Sequence, residues 1–354
     1  MTDIINRLLQ QRGVLLADGA TGSNLFDAGL STGDSPELWN DLHPDRVARQ
    51  CRDFIAAGAD IVLTNTFGGT RHRLKLHRAQ ARVAELNRKG AQIARREADA
   101  AGREIIVGGS MGPTGEIMQP LGDLHHDDAA DAFAQQAHAL RDGGADVFWI
   151  ETMSSKEEVQ AAIDGAASAG LPIVATFSVD TNGRTMMGLA PADIIALSRR
   201  MPRAPDAIGA NCGVGASELI AATINMRCAA EQLGLEPILV AKANCGVPEY
   251  IDGEIVYSGD ARIMSEYAKF AVDAGAKIIG GCCGTTPAHI AAMRAALDQH
   301  HARALPTLAN IEDQLGEVSA GAKAQLRGEM SIAAGAVGGA GGRKRSRRRG
   351  KRGE

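Results

Sequence analysis

The chain has 354 residues, 45% hydrophobic and 23% charged, which is enough apolar content for one large domain or two ordinary ones and too much for a disordered polar chain. The formal net charge of −4 divides unevenly, because residues 343–354 hold eight basic residues against one acid, a local +7, and leave −11 on residues 1–342. An acidic body of this kind gives no reason to expect nucleic acid on the main surface, and no apolar run reaches the ~18 to 20 residues of a membrane span.

The first sixteen residues carry Asp3, Arg7 and Arg12 where a secretory leader would be apolar, so the expectation is a soluble, cytoplasmic protein. From residue 14 onward, short apolar segments alternate with longer stretches of helical period, the pattern of a parallel sheet built from βα units. In chain order, strands are expected at 14–17, 60–64, 104–108, 146–150, 172–177, 206–210, 237–241 and 277–280. Helices are expected at 45–57, 79–101, 128–142, 156–169, 191–200, 217–233, 260–274 and 287–298. Three of them run into the next strand through one recurring phrase, Ala57-Gly58-Ala59-Asp60, Gly143-Gly144-Ala145-Asp146 and Ala274-Gly275-Ala276-Lys277, in which the Gly supplies a left-handed helix cap. Eight units in roughly 290 residues match the usual (β/α)8 TIM barrel of about 250 residues plus insertions. An open doubly wound sheet is the alternative, disfavoured because no Gly-x-Gly-x-x-Gly follows the first strand.

The βα rhythm stops near Thr307, and 335–342 is almost wholly Gly and Ala. The expected division is therefore a barrel over 1–306 and a flexible Gly/Ala-rich and Arg/Lys-rich tail over 307–354. The basic end of that tail is either a solvated terminus or an attachment point for RNA, an anionic membrane or an acidic protein partner.

Barrel enzymes carry their chemistry on the loops that follow the strands. Here those loops read Asp18-Gly19-Ala20-Thr21-Gly22, Asn65-Thr66-Phe67-Gly68-Gly69, Ser110-Met111-Gly112-Pro113-Thr114-Gly115, Glu151-Thr152-Met153, Asn211-Cys212-Gly213, Asn244-Cys245-Gly246 and Gly281-Cys282-Cys283-Gly284-Thr285-Thr286. Four of the six cysteines thus gather at one rim, and in a chain without an export signal they are expected to be reduced. Soft thiolates in such a place suit zinc, with three protein ligands and an exchangeable fourth position. Cys282 and Cys283 can share one metal only if the strand ends or bends there, which Gly280, Gly281 and Gly284 permit. Spacing alone leaves open a metal-free Cys-Cys pair with one half in the core, and does not choose between Cys212 and Cys245. Cys51 and Cys228 fall in helices and are expected in the core. His125 and His126 share a loop with no further histidine at ligand spacing.

Gly280-Gly281-Cys282-Cys283-Gly284-Thr285-Thr286-Pro287, with Asn211-Cys212, Asp18-Gly19, Glu151-Thr152 and Thr64-Asn65-Thr66-Phe67-Gly68, resembles the zinc-dependent homocysteine S-methyltransferases over about residues 10–300. That family includes betaine-homocysteine methyltransferase and the homocysteine-binding module of cobalamin-dependent methionine synthase. The resemblance implies a TIM barrel, zinc (Zn2+) on Cys212, Cys282 and Cys283, and Cys245 outside the ligand set. It also implies that Asp18, Gly19 and Glu151 hold the amino-acid part of homocysteine. An ordinary thiol, pKa roughly 8.5, is mostly protonated near neutral pH, and zinc would hold it ionised without a side-chain general base.

The methyl donor is harder to read. Trp39 and Phe67 resemble parts of a betaine cage, which would use cation–π attraction. However, Thr152 and Gly68-Gly69 stand where the betaine enzymes carry tyrosines. Gly112-Pro113-Thr114 and Glu151-Thr152 are closer to the methionine synthase module, which favours methylcobalamin on a separate corrinoid protein, since this chain lacks Asp-x-His-x-x-Gly. Betaine and S-methylmethionine are the alternatives. From other classes come a zinc-free barrel with a phosphate seat at Gly280-Gly281, and a thiol-binding module whose tail recruits nucleic acid.

Overall fold

In the computed structural model, which describes residues 4–180, 182–251 and 254–329, all eight expected barrel strands form. They are β1 (Leu15–Leu16), β2 (Ile61–Leu63), β3 (Ile106–Met111), β4 (Val147–Met153), β5 (Ile173–Ser178), β6 (Ala207–Cys212) and β7 (Ile238–Ala243). A short antiparallel hairpin follows, β8 (Pro248–Ile251) and β9 (Glu254–Tyr257), and then the last barrel strand, β10 (Ala276–Gly281). The ladder runs in parallel from β1 through β10, β7, β6, β5, β4 and β3 to β2. A parallel bridge between Ala17 and Ile61, with the Asp18 amide donating to the Ile61 carbonyl at 2.9 Å, joins the two ends. The sheet therefore closes into a (β/α)8 barrel and the doubly wound alternative falls.

The period of two along each strand sorts the side chains. One parity (Leu15, Ala17, Ile61, Leu63, Ile106, Val147, Trp149, Val174, Ala207, Val240 and Ile278) packs together inside the barrel. The other, including Leu16, Val62, Val107, Phe148, Ile150, Ala175, Ile208, Leu239, Ala241 and Ile279, packs under the helices. Helix Ile4–Arg12 drops Ile5 and Leu8 into the N-terminal end of the interior cluster. Continued one step further, the inward parity delivers Glu151 from β4, Asn211 from β6 and Lys242 from β7 to the C-terminal mouth.

The expected tail begins too early. Helices Leu308–Leu315 and Ala320–Leu326 form beyond residue 306, with side-chain caps from Thr307 and Ser319. They bury Ile311, Val318, Ala322 and Ala324, and the Ser217 hydroxyl donates to the Glu317 carbonyl at 2.9 Å. The Gly321 amide donates to Asn182 Oδ1 at 2.6 Å, and Gln325 Nε2 to the Gly183 carbonyl at 2.8 Å. This C-terminal strap thus braces the loop after β5, because two short amphipathic helices gain apolar burial there that a free tail would forgo. The Gly/Ala-rich and basic parts of the expected tail, from residue 330, lie outside the described residues. Among the described residues, no helix is long and apolar enough to cross a membrane.

Candidate metal and substrate site

Cys212 ends β6 in a left-handed conformation, φ 62°, unusual for a residue with a Cβ and a form of strain that clusters at functional sites. The inward side chain of Asn211 fixes it in place. Asn211 Oδ1 accepts from the Thr152 amide at 2.9 Å and the Thr176 hydroxyl at 2.7 Å, while Nδ2 donates to Thr152 Oγ1 at 2.8 Å. Thr152 is itself left-handed, φ 63°. Across the mouth, β10 stops at Gly281, so Cys282 and Cys283 escape strand alternation and sit in a turn closed by the Thr285 amide on the Cys282 carbonyl at 3.1 Å. Asn244 holds this turn against the β6 loop, accepting from the Cys283 amide at 3.0 Å and donating to the Gly213 carbonyl at 2.7 Å.

The Sγ atoms of Cys212, Cys282 and Cys283 consequently lie within 4.8 Å of one another, with Cys212 and Cys283 3.9 Å apart. A tetrahedral zinc with Zn–S near 2.3 Å places its sulfurs ~3.8 Å apart, so the donor set fits that ion in both chemistry and spacing. Without a cation the three thiols share charge unequally. Hydrogen bonds from the Cys212 and Cys282 thiols lower Cys283 to about 3. Cys282 accepts from Cys212 yet is pushed up to about 12 by Cys283 and burial, and Cys212 is raised by hydrogen bonds to the other two and by burial. The cluster therefore takes one negative charge readily and resists more, which a bound dication would reverse.

The sulfurs border a cavity of about 350 Å3 whose wall also includes Gly19, Phe67, Ser110, Glu151, Thr152 and Lys242, within the size range of small-molecule sites. Glu151 accepts from the Ser110 hydroxyl at 2.5 Å and is raised to about 7, chiefly by burial, with Lys242 pulling the other way. Asp18 is 2% exposed, and its oxygens are engaged by the Leu63 amide at 2.7 Å and by Lys242 Nζ at 2.9 Å. Burial alone would lower the Lys242 ammonium; Asp18 and then Glu151 outweigh it and raise it. At Gly19, a Cβ would fall 2.5 Å from the Thr285 carbonyl and 2.9 Å from Phe54, so the close passage of the β1 loop beside the β10 turn requires glycine. Lys242 escaped the sequence reading, although a lysine inside Leu239-Val240-Ala241-Lys242-Ala243 was the available signal.

The other candidates fall elsewhere. Cys245 is 1% exposed, 3.6 Å from His289 Nε2, and outside the sulfur triad. Burial raises it to about 11. Cys51 is buried and raised by that burial to about 12, and Cys228 packs against the same outer core. His126 pairs with Asp164 at 3.1 Å and His125 meets Gln119 at 3.3 Å, and neither histidine lines the cavity. Trp39 is 5% exposed beneath the Arg46 guanidinium, 5.1 Å from its ring, and packs with Leu25, Leu30 and Val47. Among the described residues, Phe67 is the only phenyl, phenol or indole side chain lining the cavity. Nor is Gly280-Gly281 an open seat for phosphate, because a Cβ on Gly281 would lie 2.2 Å from the Thr285 side chain.

The sequence model of the family described as homocysteine S-methyltransferase matches residues 15–297, the whole barrel. The chain belongs to this family. It is 32% identical over 310 residues to methionine synthase of Mycobacterium tuberculosis, covering 84% of this chain and 25% of that protein. It is 30% identical, with the same coverage, to methionine synthase of Mycobacterium leprae. The chain thus spans about a quarter of the length of these relatives. Among solved structures, the metallated form of the homocysteine methyltransferase MmuM from Escherichia coli superposes with a TM-score of 0.65 at 27% identity, covering 82% of this chain and 99% of that one. The oxidized form of the same enzyme gives 0.62 at 26% identity, covering 82% and 98%.

Proposed function

We propose that this protein transfers a methyl group to the sulfur of homocysteine, forming methionine, with zinc held by Cys212, Cys282 and Cys283. The observation that carries the reading is the convergence of these three thiols on the wall of a cavity that also contains buried Glu151. When bound, zinc supplies a soft Lewis acid that keeps an incoming thiol ionised near neutral pH. The chain's own residues do the positioning. Asn211 and Asn244 fix the two segments that carry the three cysteines, Gly19 allows the β1 loop to border the cavity, and Glu151 offers its carboxylate to the substrate ammonium. Asp18 acts on the same subsite through its pair with Lys242.

For the methyl donor we favour methylcobalamin on a separate corrinoid protein. A quaternary ammonium such as betaine is best held among several aromatic faces, whereas among the described residues Phe67 is the one such ring lining the cavity, the Tyr257 hydroxyl is engaged by Cys283, and Trp39 is covered by Arg46. Among the described residues, seven of the exposed large apolar side chains, Phe67, Ile117, Leu121, Met186, Met187, Val214 and Val247, lie on loops that follow strands, whereas Phe26, Leu42 and Leu76 sit on short helices and Leu305 lies beyond the last barrel helix. Apolar surface concentrated at the mouth fits a protein-borne donor. Turnover of homocysteine by the zinc-loaded chain should be measured with betaine, S-methylmethionine, free methylcobalamin and methylcobalamin on a corrinoid protein. The last is expected to be fastest. Efficient use of betaine would overturn the donor assignment, and zinc-free protein with undiminished turnover would overturn the metal assignment.

A further inference from the structure

Lys242 is a charged side chain in the barrel interior with a role that pairing with Asp18 does not exhaust. It follows Ile238 and Val240 on the inward parity of β7, is 1% exposed, and lies beside the Trp149 ring with its ammonium 5.4 Å from the ring centroid. To reach Asp18 on the far side of β10, its stem must cross that strand. Gly280 makes the crossing possible, since a Cβ there would lie 3.1 Å from Lys242 Cγ and 2.9 Å from Ala17 Cβ. The glycine before the cysteine pair thus makes room for a cation rather than for a phosphate.

An ammonium has three donors. Among the described residues, Lys242 Nζ donates one hydrogen bond, to Asp18 at 2.9 Å. Buried donors without partners are costly, yet this ammonium is in the wall of the same cavity as Ser110, Glu151 and Cys282. Asp18 already balances one positive charge, and its second oxygen is taken by the Leu63 amide. No second acceptor lies within hydrogen-bond distance of Nζ among the described residues, and the ligand that best supplies one is a carboxylate.

We propose that Lys242 binds the carboxylate of the amino-acid substrate, opposite the ammonium on Glu151, so that the cavity recognises a zwitterion whose sulfur points to the cysteines. The inference rests on the homocysteine reading and assigns Lys242 as a specificity-determining residue.

The test compares homocysteine with 3-mercaptopropan-1-amine, the same thiol without its carboxylate, on the full zinc-loaded chain. Binding is read by calorimetry and by the change in cobalt absorption on thiol ligation in cobalt-substituted protein. The parent should prefer homocysteine by at least ~10-fold, Lys242→Met should weaken homocysteine binding roughly 10- to 100-fold while leaving the carboxylate-free thiol within about threefold, and Lys242→Arg should restore part of the preference. Because Lys242→Met strands Asp18, the double variant Lys242→Met/Asp18→Asn removes both charges and serves where the single variant fails to fold. Retention of the parent's preference in the folded variant, or equal losses for both thiols, would overturn the assignment. A parent that binds neither thiol would overturn the homocysteine reading itself, and this inference with it.

Discussion

The two ends of this barrel bury charge in opposite ways. At the N-terminal end, Asp60 is 4% exposed and meets Arg12, Arg103 and Arg294, while its Oδ2 also accepts from the Leu16 amide at 2.9 Å. At the C-terminal mouth, Lys242 has one hydrogen bond among the described residues, Glu151 is raised to about 7 by burial, and three thiols crowd within 4.8 Å. Buried polar groups satisfied by the protein serve the fold, and those left short of partners or charge balance await a ligand. The same strands carry both ends, so substitutions can separate the two roles.

The largest effect should come from the sulfurs. Replacing any of Cys212, Cys282 or Cys283 by Ala is expected to lower turnover by roughly a thousandfold or more with loss of zinc, whereas Cys245→Ala should remain within about threefold; steady-state kinetics with metal analysis would read this. Equal losses at Cys245 would blur the contrast between liganding and core cysteines. At Glu151, replacement by Gln should reduce kcat/KM for homocysteine roughly 10- to 100-fold, the range of a charged hydrogen bond.

Glu151→Gln also has a stability signature. Its carboxyl is raised from 4.5 to about 7, so the folded state holds a proton that the unfolded chain releases. The resulting stability is fully present below pH 4.5, declines as pH rises through about 7, and is absent at pH 8, where the charge is buried at a penalty. Glu151→Gln is thus expected to raise the thermal midpoint relative to the parent at pH 8, by roughly 1–3 kcal/mol in stability, and to have little effect at pH 4.5. A lower midpoint at pH 8 would mean that the mouth is built for stability after all.

At the opposite end, Asp60→Asn should cost roughly 2–4 kcal/mol in urea unfolding, because three arginines lose their shared anion, while kcat/KM stays near the parent's. Smallest of all, Val318→Ala in the C-terminal strap should cost roughly 1–2 kcal/mol. No change there would mean that the strap adds little to the fold.

Much of the barrel was legible because its strands are short apolar segments and its helices leave through Gly-Ala phrases, signals that depend on local periodicity alone. The sulfur cluster was legible because all three cysteines follow strand ends, where closure of the sheet brings distant positions together. Lys242 was missed because the seventh barrel strand was expected to end at residue 241, two positions short of its end at Ala243, which placed the lysine in a loop rather than on the inward parity of β7. The strap was missed because helices Leu308–Leu315 and Ala320–Leu326 are short and follow no further strand, although Leu308, Ile311 and Leu315 already mark one helical face. The hairpin of β8 and β9 had its own cue in Asp252-Gly253, set between Tyr250-Ile251 and Glu254-Ile255-Val256. Trp39 misled because residue type carried the expectation, whereas its orientation depends on packing with Leu25, Leu30 and Val47.

The central claim is that Cys212, Cys282 and Cys283 jointly hold one zinc with a position open for the substrate thiol. Zinc-edge X-ray absorption on the purified full chain tests it directly. The expected result is about one zinc per chain with three sulfur neighbours near 2.3 Å, rising to four on addition of homocysteine and lost in Cys212→Ala. A zinc shell with fewer than three sulfurs, or one unchanged by Cys212→Ala, would contradict the account.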